Sequence, residues 1–189
     1  MYVTKLEEAG YRWAALGFSL SFNSTIDRAM QIMPIYAFGK APGENKFLRE
    51  IQVWIDIDVP RLIWPEIDQY KISTTTLSES TVHTLQKHIL NINDFIEGTD
   101  QRAIDLINEK ILLFQEKKID RIELKANLPE GFLQRRIWNL NYANLQNIYV
   151  QRINHRVKLW ERLLNELIPQ MDHPEFIIPN YEKSLTDFH

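Results

Sequence analysis

The densest cluster of recognition chemistry lies between Asn139 and Arg152. Asn139, Asn141, Asn144, Gln146 and Asn147 crowd one short stretch, which ends on the guanidinium of Arg152. On a helix, Asn144, Asn147 and Gln151 fall on one face. Each amide offers both a donor and an acceptor, as the edge of a pyrimidine or a ribose requires, and Arg152 adds a fork for phosphate. Amides are costly in a purely structural core, so the stretch reads as a polar pocket or an oligomer interface. A second cluster runs Glu66-Ile67-Asp68-Gln69-Tyr70-Lys71, with two acids, a phenol and an amine in six positions. It suits acid–base work if it lines a pocket, and a solvated helix end if it does not. Ser78-Glu79-Ser80-Thr81 supplies hydroxyls before an expected helix, for capping or for holding a phosphate. His83 and His88 are five apart, not the four of a helical metal pair, and no carboxylates accompany them. There is no phosphate-cradling glycine loop and no nucleophile elbow. With no cysteine, thiolate catalysis, disulfides and Cys-based metal sites are excluded.

These side chains need a scaffold, and hydrophobic periodicity outlines it. A short strand is expected over residues 1–6 and a helix over Glu7 to Leu20, with Trp13, Leu16 and Leu20 at helical spacing. Ser24-Thr25 should cap a second helix carrying Ile26, Met30 and Met33. A turn is expected at Gly39 to Gly43. Ile51, Val53, Ile55 and Ile57 alternate with polar neighbours and mark a strand ended by Pro60. Tyr70 to Thr76 reads as extended. Helices are expected over Thr99 to Lys117, Asp120 to Ala126, Ala143 to Arg152 and from Val157 to Pro169, with Phe132 to Leu140 extended. The tail from Pro174 is expected to be irregular and on the surface. The fold class is α+β: a central antiparallel or mixed sheet flanked by long helices, in one domain over 1–189 with a tail at 171–189.

The 189 residues suffice for one well-packed core, and 44% hydrophobic with 25% charged residues is a globular mix. No apolar run approaches the ~18 residues of a membrane span, and Met1 to Gly10 lacks the apolar stretch of a signal peptide. A cytoplasmic location is expected. Net charge is −3, yet Gly131 to Arg162 holds six basic residues (Arg135, Arg136, Arg152, Arg156, Lys158, Arg162) against Glu161. A local cationic region in an acidic chain suits a small anionic ligand, or else a solvated helix face. Nucleic-acid binding through this segment with Trp138, Tyr149 and Trp160 is a weaker alternative, opposed by the acidic remainder.

The segment order resembles the flavin-dependent thymidylate synthases over residues 1–170. That family has a leucine-proline step, an Asn-Ala-Arg element, a further Asn and, five residues on, an Arg. Here these positions hold Leu128-Pro129, Asn141-Tyr142-Ala143, Asn147 and Arg152. The family's glycine-histidine turn falls on Gly43-Glu44. Its Ser-Arg step falls on Pro60-Arg61, and its Arg-His-Arg signature on Gln69-Tyr70-Lys71. Its nucleotide-binding serine falls near Ser80. The defining signature and the Arg of the Asn-Ala-Arg element are therefore absent, as in the small, divergent relatives carried by phage genomes.

The resemblance implies nucleotide binding by Lys71, Ser80, Asn147 and Arg152, and cofactor binding by Asn141, Gln69 and Arg61. In an active member, dUMP is reductively methylated, with methylene-tetrahydrofolate giving the carbon and NADPH-reduced FAD the hydride. No enzyme nucleophile is needed. The family is a homotetramer with sites between subunits. The alternative is a non-catalytic binding module that keeps the fold and loses the cofactor. Replacing two arginines by Gln69 and Lys71 keeps one cation but loses bidentate recognition, at ~1.5–3 kcal/mol for each charged hydrogen bond.

Overall fold

The structure, a computed structural model, describes residues 1–39, 43–85, 87–179 and 181. Four strands, β1 (Tyr2–Ala9), β2 (Gln52–Pro60), β3 (Thr75–Ser78) and β4 (Leu133–Asn141), form an antiparallel sheet in the order β1-β2-β4-β3. The helices are α1 (Tyr11–Ser21), α2 (Ile26–Ala37), α3 (Trp64–Ile67), α4 (Thr81–Leu85), α5 (Gln101–Gln115), α6 (Arg121–Ala126), α7 (Tyr142–Arg152) and α8 (Lys158–Leu167). The class is α+β as expected, but the flanking helices are not long: α5, at fifteen residues, is the longest among the described residues. The chain divides into two compact units. One comprises Met1–Tyr2, Ile57–Tyr70 and Thr76–Ile137; the other comprises Val3–Asp56, Lys71–Thr75 and the chain from Trp138 onward.

In the unit holding the termini of the site helix α7, alternation along β2 buries Val53 and Ile55, and Ile51 lies just before it. The Tyr142 amide donates to the Ile51 carbonyl at 3.0 Å, which fixes where β4 ends and α7 begins. Thr25 caps α2 as its sequence predicts, its hydroxyl accepting from the Arg28 amide at 3.2 Å. Trp160, Leu163, Leu164 and Leu167 form the buried stripe of α8. Ala14, Ala15 and Phe18 of α1 and Ala29, Met33 and Ala37 of α2 complete the core with Trp138, Leu145 and Ile148.

Three expectations are corrected in this unit. The first helix begins at Tyr11, not Glu7, because β1 runs to Ala9 and Gly10 turns the chain at φ 102°. A Cβ there would lie 2.1 Å from the Glu50 carbonyl oxygen, so only glycine fits. The Glu7-Glu8 pair thus belongs to a strand, and Glu8 accepts from the buried Tyr142 hydroxyl at 2.7 Å and from the Asp172 amide at 3.0 Å. Trp13, Leu16 and Leu20 keep their helical spacing but stand on the exposed face of α1. Residues 174–179 are not irregular surface: they make a 3-10 turn over Pro174–Phe176, and Phe176 and Ile177 are fully buried. Residues 40–42 of the expected turn and 180 and 182–189 of the tail lie outside the described residues.

The other unit is built on α5, whose Ile104, Ile107 and Ile111 pack with Leu85, Leu90, Phe95, Leu124, Leu128 and Phe132. Asp100 and Asp120 cap α5 and α6 through the Arg102 and Glu123 amides, at 2.9 and 2.8 Å. The strand expected over Tyr70 to Thr76 starts only at Thr75. Ser73 adopts a left-handed backbone, φ 57°, which breaks extended pairing before that point.

Candidate functional site

The amides of the Asn139–Arg152 stretch divide by task. Asn139 and Gln146 are structural: the first donates to the Val53 carbonyl at 3.1 Å, and the second donates to the Ala37 and Phe176 carbonyls at 2.9 and 2.8 Å. Asn141, only 3% exposed, caps α7. Its side-chain oxygen accepts from the Asn144 amide at 3.0 Å, while Asn144 accepts from the Asn141 amide at 3.3 Å, a reciprocal box. Asn144 also donates from Nδ2 to the Ile72 carbonyl at 2.9 Å. That bond draws the short segment 71–75 onto the start of α7, so Lys71 lies next in chain to a residue held by the amide face.

One turn further along α7, Asn147 is exposed and its oxygen accepts from Gln151 Nε2 at 2.8 Å. Arg152 closes the helix, where a cation also complements the helix dipole. Its guanidinium carbon stands 5.1 Å from the Trp160 ring centroid, and Nη1 donates to His155 Nε2 at 3.1 Å. This bracing by the buried Trp160 limits the side-chain freedom that Arg152 would lose on holding an anion. Asn144, Asn147, Gln151 and Arg152 with segment 71–75 thus form a polar strip, carrying a cation at Lys71 and another at Arg152.

The same unit contains a half-open cavity of about 640 Å³. Trp13, Phe18, Phe22 and Phe47 give it aromatic walls, and Glu44, Lys46 and Glu50 give it charge. The volume lies within the ~300–1,000 Å³ typical of small-molecule sites. Sequence reasoning reached Gly43-Glu44 but not the aromatic wall, because Trp13, Phe18, Phe22 and Phe47 come from separate elements that converge only in the fold.

Gln69, Arg61 and Ser80 belong to the other unit. Gln69 is exposed at the end of the turn after α3. Arg61 donates to the Leu128 carbonyl at 3.0 Å and pairs with Glu130 at 3.5 Å. The Ser80 carbonyl accepts from the His83 and Thr84 amides, both at 3.0 Å, so its backbone opens α4. Among the described residues no group of acidic and histidine side chains is placed to hold a metal ion. No described helix is long and apolar enough to cross a membrane.

The fold has counterparts among solved structures. The flavin-dependent thymidylate synthase ThyX from Helicobacter pylori, complexed with FAD and dUMP, superposes with a TM-score of 0.77, covering 94% of this chain and 98% of that one at 14% identity. A second structure of Helicobacter pylori thymidylate synthase X with FAD and dUMP gives 0.74, covering 94% and 97%, again at 14% identity. The chain therefore has a ThyX-like fold. No protein-family profile and no curated relative matches its sequence.

Proposed function

We propose that this chain binds a pyrimidine nucleoside monophosphate of the dUMP type, as a nucleotide-binding derivative of the flavin-dependent thymidylate synthase fold. The observation that carries the reading is the Asn144–Ile72 bond, which sets Lys71 beside an amide helix ending in a braced Arg152. Lys71 and Arg152 bind phosphate, and Asn147 presents its amide to the base or ribose edge. Asn141 is committed to the α7 cap and acts by holding the helix start. The nucleotide complexes of the structural neighbours support the ligand class.

FAD fits less well. The aromatic cavity has room for a ring system, but its lining offers one ammonium, Lys46, against the carboxylates of Glu44 and Glu50. That balance repels a diphosphate. Gln69 and Lys71, in place of the family's arginines, supply no bidentate fork, and Arg61 already pairs with Glu130. Binding without redox chemistry is thus favoured over reductive methylation, which needs FAD, NADPH and methylene-tetrahydrofolate together.

One experiment tests both parts. The purified protein is incubated with FAD, desalted and scanned in the visible range, then melted with and without dUMP. The expected result is no retained flavin absorbance, and a rise in Tm of about 5 °C or more at a hundredfold excess of dUMP over Kd. Arg152→Ala should fold and lose that rise. Equal dUMP stabilisation in wild type and variant removes Arg152 from the site, and retained flavin restores the synthase reading.

A further inference from the structure

The unit containing α5 holds a second, smaller cavity of about 240 Å³, lined by Arg61, Trp64, Asp68, Lys125, Gln134 and Arg136, with Pro65, Thr81 and Glu130 at its edges. Three cations face two carboxylates there. Arg136 is 15% exposed and lies flat on the buried Trp64, its guanidinium carbon 3.9 Å from the ring centroid. Its polar contacts are weak for a charged donor. Nη1 reaches the two Asp68 oxygens at 3.2 and 3.3 Å, and Nη2 reaches the Gln134 side-chain oxygen at 3.3 Å. Charge-assisted bonds normally run ~2.7–2.9 Å. Nε of Arg136 is buried with no hydrogen-bond partner. Lys125 has no acidic partner among the described residues. Arg61 is anchored by the Leu128 carbonyl, with Glu130 3.5 Å away. The wall therefore presents one buried, under-satisfied guanidinium over an aromatic floor, with two further cations around a half-open mouth.

We propose that this cavity is a binding site for a small oxyanion, orthophosphate or the phosphate end of a larger metabolite. Its volume falls below the ~300–1,000 Å³ of pockets that enclose whole ligands, so it suits a single anionic group and not a nucleotide. Lys125 and Arg136 hold the anion, Arg61 adds long-range attraction, and Asp68 is the internal competitor that the anion displaces from Arg136. The site uses none of the α7 amides and is independent of the nucleotide reading.

The test is a thermal-shift and calorimetric titration of the full chain with inorganic phosphate, using chloride at matched ionic strength as the control. Phosphate should stabilise wild type beyond chloride. Lys125→Ala, an exposed change that spares the core, should weaken binding about tenfold or more, the scale of one charge-assisted bond. Arg136→Lys, which keeps the charge and loses the fork, should also weaken it. Asp68→Asn removes the competitor and should tighten it. Lys158→Ala, which removes an exposed cation outside both proposed sites, should respond as wild type does. A phosphate effect no larger than chloride's, undiminished in Lys125→Ala, or abolished in Lys158→Ala overturns the assignment. If a larger phosphomonoester such as glycerol phosphate outcompetes orthophosphate, the site takes the phosphate end of a metabolite; the reverse order assigns it to free phosphate.

Discussion

Glu79 shows how one side chain reports its surroundings. Burial pushes its carboxyl above the usual carboxylate range, the charge of Asp58 pushes it further, and Arg135 and His88 oppose the shift. A carboxyl whose folded-state pKa is raised contributes stability at acid pH, and that contribution is lost as pH rises through the raised value. Glu79→Gln removes the ionised form. The variant should melt higher than wild type at pH 7–8, and the gap should close by about pH 4, where both forms are neutral. Thermal unfolding across that range checks this, and a gap independent of pH would mean that Glu79 ionisation costs the fold nothing. At the same scale, the amides of Asn139–Gln151 look alike in sequence, yet Asn139 and Gln146 bond to backbone while Asn147 is exposed. Side-chain partners more than a hundred residues away in the chain, such as Ala37 for Gln146, leave no local signal.

Elements were legible where local physics decides them. The β2 alternation, the Thr25 cap and the helices α5, α6 and α8 all follow from short-range pattern. They failed where a tertiary partner overrides pattern. Two adjacent glutamates look like a helix start until Glu8 finds Tyr142, whose phenol is raised by burial and by that carboxylate. The C-terminal segment is the clearest case, since its proline and charges suggest surface coil. Instead Phe176 meets Phe47 edge-on at 5.6 Å and stacks on His173 at 5.3 Å, while its carbonyl accepts from Gln146. His173 in turn stacks on Tyr11 at 3.8 Å, and Lys5 pairs with Asp172. The segment is therefore a structural strap over the amide helix. Phe176→Ala should cost about 3–5 kcal/mol in a denaturant titration, the usual loss for a fully buried aromatic. A loss below ~1 kcal/mol would show that the strap is not docked in solution.

At the scale of the whole molecule, the question is what covers α1. Trp13 and Leu20 are 68% and 75% exposed, Leu16 shares their face, and Ile35 of α2 is 74% exposed. The inward side of α1 is already filled by Ala14, Ala15 and Phe18, so rotation of the helix cannot bury the stripe. Exposed apolar residues recurring at helical spacing mark a surface built to be covered. Self-association of the chain would cover it. Trp13 also lines the aromatic cavity, so a subunit packed on α1 would wall that cavity and connect assembly with ligand binding. Wild type should therefore scatter light as a multimer. Leu20→Glu, which places a carboxylate in the stripe without touching the core, should shift it toward monomer with its circular dichroism unchanged. Because Leu20 belongs neither to the cavity nor to the α7 strip, any fall in dUMP stabilisation in that variant would come through lost assembly. A wild type that stays monomeric would mean that the stripe serves another partner, and that the polar strip on α7 must bind its nucleotide without help from a neighbouring subunit.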